Sequence, residues 1–198
     1  MQRRIGLTGG IASGKSSVGR LLEARGWPVL DADQFARAVL DPGSESSEQV
    51  LQRHPSVRRD DGSIDRGALG RIVFSDAQER TWLNNLIHPQ VRARFERGLQ
   101  EHASAPTIVL MIPLLFEAGL TGLCTEIWLV DCDEEQQLQR MRQRDGLSDA
   151  DARARMAAQW PLSRKRPLAD VVIDNRGTES ELTQQIKRYA LLPGGTNW

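Results

Sequence analysis

The stretch GGIASGKS, residues 9–16, constrains the fold of this chain more than any other feature. It fits the pattern G-x-x-x-x-G-K-[ST], in which glycines let backbone N–H groups turn inward around phosphate oxygens. An apolar segment over residues 4–7 precedes the loop, and apolar residues at helical spacing follow it over residues 17–25. This succession of strand, loop and helix predicts a site for a nucleoside triphosphate. The motif alone does not name the reaction.

The loop residues supply different parts of a phosphate site. Lys15 brings a mobile positive charge to the β- and γ-phosphates, and the Ser16 hydroxyl can ligate Mg²⁺. The N-terminus of the following helix adds its positive end. The same residues could also form a glycine-rich turn with an incidental lysine. We expect the nucleotide to be bound by a continuous set of residues: Gly10, Ile11, Ala12, Ser13, Gly14, Lys15, Ser16 and Ser17.

Five short apolar segments are typical of buried strands, and they lie at residues 4–7, 28–30, 107–112, 126–130 and 170–173. Their apolar residues are continuous rather than alternating, which indicates a parallel sheet covered on both faces. Helical patterns separate the segments, with capping signatures at Asp133, Ser148 and Thr178. The sequence therefore predicts an α/β fold in which a five-stranded parallel sheet is flanked by helices.

The spacing between these strands is uneven. About 75 residues separate the second and third strands, too many for one crossover helix. We expect a single domain over residues 1–198, with a helical insertion over 41–104 and a lid over the arginine-rich stretch 141–166. The tail over residues 192–198 is expected to fray.

Composition gives no sign of a nucleic-acid or membrane partner. The 26 basic residues balance the 26 acidic ones, so net charge gives no indication of nucleic-acid or membrane binding. The longest apolar run, residues 108–116, is far shorter than the roughly 20 residues that span a bilayer. Cys124 and Cys132 lack metal-site spacing and are too few for a disulfide framework. We predict free thiols and a cytoplasmic protein without nucleic-acid or membrane partners.

The class of phosphate-loop protein follows from what else the chain contains. A GTPase needs a guanine-reading segment such as NKxD, and no Asn-Lys pair occurs. The chain is also short for a large mechanochemical ATPase, which leaves a small-molecule kinase. Such an enzyme needs a carboxylate near the acceptor hydroxyl. Asp31 and Asp33 follow the second strand, and parallel sheets bind ligands at the carboxyl ends of their strands.

Two arginines have the spacing of a pair on one helix face. Arg140 and Arg144 lie four residues apart and lead into the arginine-rich stretch, as a closing lid requires. They could equally form a solvated helix face.

Each of the remaining candidate residues also has a purely structural interpretation. Asp33 could only cap a helix that starts at Gln34. His88 could be a buried, hydrogen-bonded histidine, and Arg37 could form a surface ion pair. The aromatic side chains of Phe116 and Trp128 could belong to the core.

Seven stretches, in this order and at this spacing, resemble dephospho-coenzyme A kinases: GLTGGIASGKSSV, DADQFAR, WLNNLIHP, IPLLFE, RQRDGLS, AAQW and VIDN. The resemblance covers residues 5 to about 189. It implies that ATP phosphorylates the 3′-hydroxyl of the ribose of dephospho-CoA, in the last step of coenzyme A synthesis. It also implies a phosphate-loop kinase core, a helical CoA-binding region, a lid and a requirement for Mg²⁺.

The resemblance assigns roles residue by residue. Asp33 corresponds to the carboxylate that orients or deprotonates the ribose hydroxyl, and Asp31 to a helper near Mg²⁺. Lys15 and Arg140 take catalytic positions at the phosphates. Arg144 is implied over the phosphates and Asn175 at the adenine of ATP. The dephospho-CoA site is implied to include Arg37, His88, Leu115, Phe116 and Glu117.

The chain departs from the family pattern at a few positions. Ala12 stands where glycine is frequent, which is tolerable if the local φ is negative. Met111 and Ile112 stand where many relatives have an acidic or small residue and a valine.

Two other functions stay open: a kinase of another small alcohol, such as shikimate, gluconate or a nucleoside, and a nucleotide-dependent sensor without turnover. The predicted assembly is a monomer or weak homo-oligomer.

Overall fold

The computed structural model describes residues 2–191, so the tail over 192–198, predicted to fray, lies outside the described residues. The chain divides into two compact units. The sheet unit consists of Met1–Asp31 and Glu101–Trp198, and the helical unit consists of Ala32–Gln100. The helical unit begins at Ala32, so Asp33 belongs to it, and the insertion over 41–104 stays a prediction.

The sheet unit contains five parallel strands in the order β2-β3-β1-β4-β5, as the apolar segments predicted. Their bounds are β1 Arg3–Gly9, β2 Val29–Asp31, β3 Thr107–Met111, β4 Glu126–Asp131 and β5 Val171–Asp174. Three strands end on an aspartate that the apolar pattern did not include. Because a parallel sheet gathers its strand ends at one edge, these carboxylates share the edge from which the phosphate loop leaves β1.

Helices and apolar side chains cover this sheet. Helices α1, Lys15–Glu23, and α9, Glu179–Ala190, contribute buried side chains to the same core as β1, β3 and β4. Trp128 is fully buried in that core, which confirms its interpretation as a core residue. The sheet is therefore a rigid base for the loops at its carboxyl edge.

A second helical layer in the sheet unit includes the predicted lid. It contains α6, Glu134–Asp145, followed by α7, Asp149–Ala157, and α8, Leu162–Lys165. Gly146 ends α6 with φ 64°, a left-handed conformation that glycine adopts readily. The predicted reciprocal capping box is present at Thr178, whereas the Ser148 hydroxyl accepts from the Asp151 N–H and donates to the Asp151 carboxylate.

The helical unit has its own core. Its helices are α2 Ala32–Val39, α3 Glu45–Arg53, α4 Arg66–Ser75 and α5 Ala77–Glu101, whose last residue falls in the sheet unit. Helix α5 continues through Pro89, although proline removes one helical hydrogen bond. Buried apolar residues hold the unit together, namely Leu40, Val50, Leu51, Val57, Ile64 and Leu69. Within residues 2–191, no helix combines the length and apolar character needed to cross a bilayer.

Candidate nucleotide-binding site

The phosphate loop leaves β1 at Gly9 and enters α1 at Lys15. Gly14 precedes the helix with φ 101°, and its carbonyl accepts the first helical bonds, from Ser17 N at 3.0 Å and Val18 N at 3.2 Å. A side chain at Gly14 would overlap the Nδ2 atom of Asn175. Glycine is needed here for both its backbone conformation and its lack of a side chain.

Lys15 lies against the loop backbone. Its Nζ donates to the carbonyl of Gly10 at 2.7 Å and to that of Gly9 at 3.3 Å. The ammonium group therefore adds a full positive charge beside the positive end of α1. This combination suits the binding of phosphate oxygens.

Ala12 has φ 54°, in the left-handed region. The sequence prediction made alanine tolerable only if φ were negative, and that condition is not met. For an L-residue this conformation costs about 1–2 kcal/mol. The surrounding contacts must hold it, and one of them is a hydrogen bond from Arg140 Nη1 to the Ala12 carbonyl at 3.3 Å.

Arg140 and Asn175 hold the middle of the loop through its backbone. Arg140 donates to the carbonyls of Ala12 and Ser13, each at 3.3 Å, and to that of Asn175 at 2.8 Å. Asn175 Nδ2 donates to the Ser13 carbonyl at 2.7 Å. The resemblance implied an adenine contact for Asn175. In this structure its side-chain amide N–H bonds the phosphate loop, and the adenine contact stays a prediction.

Ser13 and Arg144 stay predicted nucleotide ligands, and their side chains have different surroundings in this structure. The Ser13 side chain is fully buried, so Ser13 can contribute only its backbone to a ligand. Arg144 lies one turn beyond Arg140 on α6, but its guanidinium bonds both carboxylate oxygens of Asp145, at 2.7 and 2.8 Å. The hydrogen bonds with Asp145 raise the pKa of Arg144 above its ordinary value. Equal spacing on one helix face does not give these two arginines the same partners.

A buried carboxylate that sequence reasoning missed lies at the end of β4. Asp131 accepts hydrogen bonds from Arg166 at 2.8 and 3.0 Å and from Arg176 at 2.8 Å. Arg176 also bonds Asp133 and Asp174, and the bonds with Asp133 and then Asp131 raise its pKa above the ordinary arginine value. The signal was available in the sequence, because Asp131 comes directly after a predicted apolar strand segment, as Asp31 does.

The segment after β3 contains the residues predicted to contact the acceptor. Leu115 is fully buried and its side chain lies next to Gly6, so its predicted place at the substrate site stays a prediction that concerns its backbone. Glu117 Oε1 forms an ion pair with Lys165 Nζ at a distance of 2.8 Å. The Lys165 side chain is fully buried. Phe116 is half-buried and parallel to the Trp160 ring, with 6.4 Å between ring centroids. Of the three predicted residues, Phe116 offers a partly exposed aromatic surface to a ligand.

The other predicted acceptor residues lie in the helical unit. Asp33 is the second residue of α2 and is exposed, so the idea that it caps a helix starting at Gln34 is wrong. Arg37 is exposed one turn later. His88 is exposed on α5 rather than buried, and partial desolvation lowers its pKa below the ordinary histidine value.

The two predicted metal ligands belong to the sheet unit. Asp31 ends β2 in register with Met111, and Met111 is in register with Leu7 of β1. Asp31 therefore lies on the second strand from β1, at the edge where the phosphate loop begins. Ser16 is the exposed second residue of α1. Among residues 2–191, no group of three or more His, Cys, Asp or Glu side chains is arranged to hold a metal ion.

Comparisons with known proteins agree with this geometry. The family model for dephospho-CoA kinase matches residues 3–181. The dephospho-CoA kinase of Parasynechococcus marenigrum (strain WH8102) is 60% identical over 198 residues and covers all of both chains. That of Synechococcus sp. (strain CC9605) is 65% identical, covering 89% of this chain and 86% of its own.

A solved structure of a dephospho-CoA kinase also matches this chain. The dephospho-CoA kinase from Campylobacter jejuni superposes with a TM-score of 0.70 at 28% identity, covering 96% of each chain. The likeness therefore extends over the sequence motifs and over the fold that positions them. The chain belongs to the dephospho-CoA kinase family.

Proposed function

We propose that this protein transfers the γ-phosphoryl group of ATP to the 3′-hydroxyl of the ribose of dephospho-CoA, giving coenzyme A and ADP. The observation that carries the proposal is the extent of the family match. It runs over residues 3–181 and so includes the helical unit as well as the phosphate loop. A phosphate loop alone supports only nucleotide binding.

Phosphoryl transfer has a loose transition state, so catalysis depends mainly on positioning and on stabilising charge. Lys15 and Arg140 are the cations proposed for this task. The three hydrogen bonds of Arg140 described above all go to uncharged backbone carbonyls. Its positive charge is therefore not balanced by these partners and can act on phosphate oxygens. The transfer is proposed to be direct, without a phosphorylated enzyme.

Asp33 is proposed to accept a hydrogen bond from the ribose hydroxyl and then to take its proton. Its exposed position in the first turn of α2 supports this, because a proton acceptor must be within reach of the hydroxyl of a bound substrate. Arg37, His88 and Phe116 are proposed to bind dephospho-CoA. Each offers exposed or half-buried surface, with a charge, an imidazole or an aromatic ring respectively.

Ser16 and Asp31 are proposed to hold Mg²⁺ together with the phosphates of ATP. A hydroxyl and a carboxylate fit this ion, which prefers oxygen ligands and is usually bound by one or two carboxylates with substrate phosphates and waters. When bound, the ion offsets negative charge on the phosphate oxygens.

An ADP-release assay with a panel of acceptors tests the proposed function. We expect ADP release that depends on dephospho-CoA and is at background with adenosine, shikimate or gluconate. Faster turnover of another acceptor would make the protein a different small-molecule kinase. ATP binding without turnover of any acceptor would favour the sensor.

The cytoplasmic location and the monomeric or weakly oligomeric state stay predictions from the sequence.

A further inference from the structure

The backbone of one phosphate-loop residue, Ile11, is held from both sides by glutamine side chains. Gln137 on α6 is buried, and its Nε2 donates to the Ile11 carbonyl at 2.6 Å. The Ile11 N–H donates to Oε1 of Gln159 at 3.0 Å. A side chain at Gly10 would overlap Gln137 Nε2, so it would force the end of this glutamine side chain to move.

Gln159 reaches the loop from the end of the lid. It lies two residues after α7, in the stretch that joins α7 to α8. It lines a cavity of about 390 Å³ together with residues of the loop and of α6, including Gly10, Ile11, Gln137 and the neighbouring Trp160. Gln159 therefore links the lid to the loop at the edge of a space open to a ligand.

The position of Gln159 is itself fixed by a buried ion pair. The next residue, Trp160, donates its N–H to Glu117 Oε1 at 2.9 Å. The same oxygen accepts the 2.8 Å bond from Lys165, and Lys165 also donates to the Pro113 carbonyl at 3.3 Å. Because Lys165 is fully buried, this junction is costly to break. The junction anchors the end of the lid to the segment after β3.

We propose that Gln159 is a positioning residue for phosphoryl transfer, which fixes the backbone at Ile11 and makes the shape of the loop depend on the lid. Gln137 holds only the carbonyl side of the Ile11 residue. Without an acceptor at Gln159, the Ile11 N–H is free to rotate away from the geometry that the reaction needs. This inference rests on the proposed function for its kinetic part and on the hydrogen bonds alone for its structural part.

The test compares Gln159→Met, which removes the acceptor at similar side-chain size, with Gln159→Glu, which keeps an oxygen acceptor. The control is Gln184→Met, at an exposed glutamine of α9. Amide hydrogen exchange of Ile11, measured by NMR on the full chain, reads the bond directly. We expect exchange at Ile11 to rise about tenfold in Gln159→Met, as for loss of one hydrogen bond, and to stay within about twofold of wild type in Gln159→Glu and the control.

Kinetics provide the second measurement. We expect Gln159→Met to lower kcat about tenfold while the KM for dephospho-CoA stays within about twofold, since the side chain is not assigned to that substrate. Unchanged Ile11 exchange or unchanged kcat in Gln159→Met would overturn the inference. If Gln159→Met does not fold, loss of Ile11 protection in Gln159→Glu would overturn it. A wild-type protein inactive on dephospho-CoA would refute the proposed function, and Ile11 exchange would still decide the structural part.

Discussion

The sheet unit and the helical unit each have an apolar core, and they differ in what their polar side chains contact. In the sheet unit, side chains far apart in sequence hold loop backbone, as Arg140 and Asn175 do at Ser13. In the helical unit, an apolar core is accompanied by ion pairs nearer the surface, such as that of Arg53 with Glu79. A loop that must hold phosphates needs specific polar partners, whereas a packed helical layer needs mainly apolar side chains of suitable size.

The largest expected effect concerns the one proposed proton acceptor, which belongs to the helical unit. We expect Asp33→Asn to lower kcat by roughly 10²–10⁴, the range for a positioned acid or base, with ATP affinity little changed. Steady-state kinetics and calorimetric ATP titration measure the two quantities. Asp41→Asn, at an exposed carboxylate of the same unit, is the control and should stay near wild type. Near-normal turnover of Asp33→Asn would remove the proposed role.

The next largest effect is expected on stability, from loss of the buried Lys165–Glu117 ion pair in the sheet unit. Lys165→Met leaves the Glu117 carboxylate buried without its cation, so we expect a loss of about 3–5 kcal/mol in the free energy of unfolding. Lys187→Met, at an exposed lysine of α9, should change it by less than about 0.5 kcal/mol. Urea denaturation measures both. Equal free energies of unfolding for the two variants would show that the Lys165–Glu117 ion pair does not stabilise the sheet unit.

A pair of glycine variants separates backbone strain from the loss of a loop contact. Gly14 and Gly26 both have positive φ, at 101° and 83°, but only at Gly14 would a side chain meet Asn175. We expect Gly14→Ala to be less stable than Gly26→Ala by about 1–3 kcal/mol, because Asn175 must move away from Ser13. Equal losses in thermal or urea unfolding would mean that backbone strain alone accounts for the effect at Gly14.

The smallest effect is a pH dependence in the helical unit. The Arg53 hydrogen bond lowers the pKa of Glu79 from 4.5 to about 2. A carboxyl with a depressed folded-state pKa stabilises the protein above its unfolded value and loses that contribution as pH falls toward its folded value. We therefore expect the melting temperature of wild type to exceed that of Glu79→Gln above pH 4.5, with the difference shrinking toward pH 2. A constant difference across this range would contradict the assignment.

The sequence predicted the elements that local patterns encode and missed contacts between distant residues. Continuous apolar runs located all five strands, and the loop motif located the turn between β1 and α1 where we propose the phosphates bind. The glutamines at Ile11 come from 126 and 148 residues away, which no local pattern records. The left-handed conformation of Ala12 was missed for a related reason, since tertiary contacts impose it against the local preference.

Identification of the product tests the central claim most directly. Purified protein, ATP, Mg²⁺ and dephospho-CoA would be incubated to completion, and the product examined by ³¹P–¹H correlation NMR with ADP measured in parallel. We predict one new phosphomonoester coupled to the ribose H3′ proton, formed in equal amount to ADP. Coupling to another proton, or ADP formed without a new phosphomonoester, would contradict the account.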